Sequence, residues 1–122
     1  MLGAMTGTAR RDGELKMAWI YLAAAGILEI VWAYSMKQSE GFTKLVPSTI
    51  TIVMMIGSFA LLSVAMRTLP LGTAYTIWTG IGAVGAFLVG IMVLGEAVTM
   101  MRLAAAALIV SGLVMMKLAT PA

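Results

Sequence analysis

Four long apolar blocks, each closed by a short polar or helix-breaking stretch, set the pattern of this chain. They cover about residues 18–36, 47–66, 73–94 and 102–118. Apolar residues fill these blocks instead of recurring on one face, so the pattern predicts lipid-embedded helices, not amphipathic ones. The first block has 19 residues, about 28 Å of helix, enough to cross a hydrocarbon core. Pro47 and Ser48 suit the first turn of the second helix. Pro70 and Gly72 break the chain between the second and third, and Gly95-Glu96 opens the turn before the fourth. The predicted fold is an all-α membrane protein with four transmembrane helices. Loops this short make each helix antiparallel to the last, with both termini on one side.

Composition strengthens that picture. Of the 122 residues, 61% are hydrophobic and 11% charged, against roughly a quarter charged in a soluble domain. Cys and His are both absent, which removes disulfides, thiol nucleophiles and the common zinc sites. Proton chemistry near neutral pH must then use a carboxylate, Lys or Tyr. No cofactor, metal site or enzymatic activity is expected. The net charge of +3 is spread over basic residues of the extension and at the ends of the apolar blocks, with no long basic run. Nucleic-acid binding would need a clustered basic face. Residues 1–16, MLGAMTGTARRDGELK, carry no apolar block and read as a disordered tail or an appended or upstream-start extension before Met17.

Charge placement bears on orientation. From Met17 on, Arg67 and Lys117 lie on the side of the termini, while Lys37, Lys44 and Arg102 lie on the other. Two against three is almost no bias under the positive-inside rule. A chain without bias can insert both ways, and two inverted copies would make an antiparallel, dual-topology homodimer. Arg10, Arg11 and Lys16 of the extension add to the terminal side, partly offset by Asp12 and Glu14.

One residue breaks the first apolar block. Glu29, in GILEIVWAY, stands about halfway along it. A carboxylate there costs several kcal/mol unless paired, hydrated or protonated, so its default reading is a cation or proton site. A protonated Glu bonding a neighbouring helix is the structural alternative. Trp32 lies three residues on and Gly26 three back, on one helix face. An indole beside a carboxylate suits a planar or alkylated cation. No Lys or Arg lies deep in any block, so the acid takes its positive charge from outside, as a proton or a cationic substrate. Two ligands competing for one site are the minimal machinery of antiport.

Other interior polar groups are Ser58 in the second block and Tyr75, Trp78 and Thr79 in the third. Tyr75 and Trp78 share a face and complete an aromatic box with the acid. Ser58 is placed to donate to Glu29 or to bond back to its own helix. The run GIGAVG, Gly80 to Gly85, matches a dinucleotide fingerprint but sits inside a membrane helix, where glycines serve close packing or bending. Gly80, Gly82, Gly85 and Gly90 therefore read as a thin, bendable face suited to a hinge. Ala107 and Ser111 make a small-xxx-small pair in the fourth block.

The stretches GILEIVWA, KQSEGFTKLVPS and LPLGTAYTIWTGIGAVGA resemble the small multidrug resistance family of dual-topology, proton-coupled exporters over Met17 to about Thr120. Trp32 beside Glu29, the SEGFT loop, Ser58 and TIWTGIGA look like the guanidinium exporter subtype. The resemblance implies a homodimer in the bacterial inner membrane that exports guanidinium or small alkylated cations against protons. It implies that Glu29 from both subunits forms the shared site and that Ser58 and Trp32 position it, with Trp78 nearby. Tyr75 would line the path, Gly26 would leave room beside the acid, and the fourth helix would supply the dimer contact. The alternatives are a quaternary-ammonium exporter of the same family, a small dual-topology ion channel, or a non-transporting membrane subunit.

Overall fold

The computed structural model describes the backbone of residues 2–120 and side chains from Gly13 to Thr120. It contains four helices, α1 (Leu2–Gln38), α2 (Leu45–Ala65), α3 (Leu71–Met92) and α4 (Met100–Ala119). All four are long and apolar enough to cross a membrane, with the first span running from Gly13 to Gln38. Helix α1 continues without a break from Leu2 through the extension read above as a tail. That segment contains no Pro to stop it.

The loops show why the helices end where they do. After α1, Ser39 is fully buried, donates through Oγ to Met36 O at 2.6 Å and accepts from the Phe42 amide at 3.0 Å. Glu40, Gly41 and Phe42 are all left-handed, with φ of 49°, 76° and 66°. This places SEGFT in a tight reversal held by one serine. Helix α2 starts at Leu45, two residues before Pro47, which still lies in the first turn where no N–H is needed. Helix α3 stops at Met92 and not near Leu94. There Gly95 turns left-handed (φ 68°) and the Glu96 amide bonds back to Gly90 O at 2.9 Å. That bond folds the chain back over the last turn of the helix, with a glycine at the left-handed position that L side chains rarely adopt. Thr99 then caps α4 by accepting from the Arg102 amide at 3.1 Å.

The small interior is shared by the first three helices and the α2–α3 turn. Ala18, Leu22 and Ala25 of α1 pack with Leu62 and Ala65 of α2, Leu69 of the turn, and Ala74, Ile77 and Trp78 of α3. Helix α1 packs along both α2 and α3, whereas α4 packs mainly against α3 and has no buried residue. Leu108, Met115 and Leu118 of α4 are among many large apolar side chains left exposed. In water that surface would be a liability; in a bilayer it is the surface lipid requires.

Candidate cation site

Glu29 faces the α1–α3 seam, and glycines explain how it fits there. Side chains from facing helices fill the bare places on α3: Leu113 of α4 lies over Gly80, Glu29 over Gly82, and Ile30 over Gly85. The exchange is reciprocal at Gly26 of α1, where Ile81 of α3 occupies the space a Cβ would need. Gly26 thus admits Ile81 of α3. The glycine against the carboxyl group is Gly82, where a Cβ would overlap the carboxyl carbon and both oxygens of Glu29.

Two buried polar atoms at this level have no hydrogen-bond partner, Glu29 Oε2 and Trp32 Nε1. Neither of the two ion pairs among the described residues, Lys44–Glu40 and Arg102–Glu96, involves Glu29. The site therefore holds an acceptor and a donor in a low-dielectric setting with their bonds unmade, which is costly.

Ser58 is fully buried but bonds elsewhere. Its Oγ donates to Ala25 O at 2.7 Å and accepts from Trp78 Nε1 at 3.0 Å. In a regular helix Ala25 O is also the acceptor for the Glu29 amide. Trp78 on α3 and Ser58 on α2 are thereby tied to the α1 backbone one turn below the acid, not to the carboxylate. From sequence Ser58 was read as a donor to Glu29 or to its own helix; its bond to Ala25 O of α1 is neither.

The aromatic groups form a continuous row. Tyr75, half-exposed, has its ring 5.6 Å from that of Trp78. Phe59 of α2 follows at 5.7 Å from Trp78, and Trp32 at 6.3 Å from Phe59, both edge-to-face. Phe59 was missed at the sequence level, where its only signal is its position next to Ser58. Edge-to-face rings leave π-faces open to a neighbouring cation. Among the described residues no group of three or more acidic, His or Cys side chains could hold a metal. Thr79 is exposed, and Ser111 bonds back to Ala107 O at 2.8 Å within α4.

Four membrane-length helices, with an acid inside the first that has no ion-pair partner among the described residues, define a small multi-pass membrane protein. Residues 17–109 match the family profile described as Small Multidrug Resistance protein. The chain is 58% identical over 104 residues to a guanidinium exporter of Citrobacter freundii, covering 85% of this chain and 99% of that protein. It has the same identity and coverage with a guanidinium exporter of Salmonella typhimurium. With one of Escherichia coli strain K12 the identity is 57% over the same coverage. The chain belongs to the small multidrug resistance family, as a multi-pass protein of the bacterial inner membrane.

Proposed function

We propose that this protein exports guanidinium ion in exchange for protons, with Glu29 as the group that holds either one. The observation that carries the reading is the Glu29 carboxylate inside a membrane helix, with Oε2 buried and unpartnered and aromatic rings nearby. A carboxylate accepts a planar guanidinium through two parallel N–H···O bonds, and indole or phenyl faces stack on the rest of the ion. The names of the relatives, guanidinium exporters at 57–58% identity, support the same substrate.

The working unit is an antiparallel homodimer. Nearly even charge on the two sides lets the chain insert both ways, and α4, none of whose residues is fully buried within the chain, supplies the contact. An inward-facing pair of deprotonated Glu29 carboxylates binds the cation. The dimer then exchanges its open side, and protons from outside take the carboxylates and release the ion. Because the subunits are identical and inverted, the inward-open and outward-open states are equivalent.

Reconstituted vesicles test this directly. Guanidinium uptake should follow an opposed proton gradient and vanish in Glu29→Gln. Flux that persists without proton coupling would replace the antiporter with a channel. Good transport of tetraalkylammonium ions with none of guanidinium would overturn the substrate.

A further inference from the structure

We propose that Gly82 is a positioning residue for transport: its bare Cα is the seat that sets where the Glu29 carboxylate sits. The inference rests on the reading of Glu29 as the ligand-holding acid. Three observations support it. A Cβ at Gly82 would overlap the Glu29 carboxyl carbon and both oxygens, the far one at 2.7 Å. Gly82 is itself buried, so an added methyl has no free space and the Glu29 carboxyl group is what must move. Glu29 Oε2 also has no hydrogen bond within the chain, so within the chain it is contact with α3 that locates it.

The chemistry follows from this geometry. A carboxylate anchored by hydrogen bonds keeps its place when a neighbour grows; one located by contact moves with that neighbour. Adding one methyl at Gly82 pushes the carboxyl group off α3 toward the middle of the site. Both ligands meet the acid there, and a displacement near 1 Å can cost about 100-fold in a positioned reaction. Shortening the acid by one methylene withdraws the carboxyl group by about one carbon–carbon bond, roughly 1.5 Å. Gly82→Ala and Glu29→Asp are therefore size-complementary changes.

The control lies one turn further along the same seam. Gly85 seats Ile30, an aliphatic side chain, by an equally close approach. If Gly82 matters only as a place where helices touch, Gly82→Ala and Gly85→Ala should behave alike.

The experiment is a set of double-mutant cycles on full-length protein in proteoliposomes, reading KM and kcat for guanidinium uptake with membrane yield measured in parallel. Gly82→Ala should lower kcat/KM by about 100-fold, chiefly through KM. Adding Glu29→Asp should raise the double variant at least about fivefold above the product of the two single losses. Gly85→Ala should be rescued by Ile30→Val and not by Glu29→Asp. If Gly82→Ala gives no folded protein, Glu29→Asp should restore its yield while Ile30→Val does not. Near-native kinetics in Gly82→Ala, strictly multiplicative losses, or rescue by Ile30→Val would each overturn the seat. Full uptake in Glu29→Gln would instead overturn the reading of Glu29, which separates the two failures.

Discussion

Helix α3 lays bare backbone under two carboxylates, and the two have different fates. Glu29 rests on Gly82 and Glu96 on Gly90, eight residues further along the helix, about 12 Å by helical rise. The steric relation is the same at both. At Gly90 the carboxylate belongs to a half-exposed side chain whose Oε1 lies 3.4 Å from the Arg102 guanidinium. That guanidinium also donates to Ala97 O at 2.8 Å and lies 5.4 Å from the centre of the Phe87 ring. At Gly82 the carboxylate has a buried oxygen and no partner. A glycine seat therefore does not make an acid functional. What separates the two acids is a partner: Glu96 has the chain's own Arg102, and Glu29 has no cationic side chain beside it among the described residues.

Glu29→Gln is expected to have the largest effect of any single change. It keeps the shape on Gly82 and removes the charge, so proton-driven guanidinium uptake should fall to that of protein-free vesicles while yield and melting temperature hold. A variant that still transports would erase the difference between the two acids.

Next in size is Ser58→Ala. It leaves Ala25 O with its ordinary helical bond but strands the buried Trp78 Nε1, at a cost of about 1 kcal/mol or somewhat more. Thermal melting of the detergent-purified protein should drop by a few degrees, and uptake should slow because α1 is no longer tied to α2 and α3 below Glu29. Ser58→Thr, which keeps a hydroxyl, should recover part of the melting shift. If Ser58→Ala leaves melting unchanged, the Trp78–Ser58–Ala25 chain does not hold the helices together.

These pairings show where the sequence was informative and where it was silent. Four apolar blocks with Pro and Gly between them are a one-dimensional signal, so the helices were legible to within about two residues. The exception is α1, which runs through the N-terminal extension. Glu29, Trp32, Tyr75 and Trp78 stood out because their chemistry is unusual for lipid. Which glycine faces which side chain depends on the register between helices, which no periodicity in one helix encodes. Gly26, three residues from Glu29 on the same helix, was thus assigned to the acid, whereas Gly82 on another helix meets it. Phe59 was passed over for the same reason, as nothing in the apolar run of α2 marks the face turned toward Trp32 and Trp78.

Gly90→Ala should do much less than Gly82→Ala. The atoms that meet the added methyl are the far end of the Glu96 side chain, with carboxyl atoms 2.7–2.8 Å from the Cβ position. Glu96 is half-exposed, so its carboxylate can swing into solvent. A loss of no more than about 1 kcal/mol in stability is expected, with guanidinium KM unchanged. Equal KM effects at the two glycines would show that crowding α3 matters wherever it occurs.

Glu96→Gln should be the mildest change, and its salt dependence makes it decisive for the contrast between the two acids. The pair with Arg102 is 3.4 Å long and both side chains are well exposed, so it contributes about 0.2–1 kcal/mol at low ionic strength. At about 1 M salt the Debye length shrinks to roughly 3 Å, and the melting temperatures of wild type and Glu96→Gln should converge. Arg102 keeps its bond to Ala97 O, so the turn into α4 should survive the change. Uptake should stay within about twofold of wild type, a difference near 0.4 kcal/mol. A large loss of transport in Glu96→Gln, at unchanged stability, would mean that a carboxylate already paired with Arg102 still handles the cation. An unmet charge would then no longer be what sets Glu29 apart.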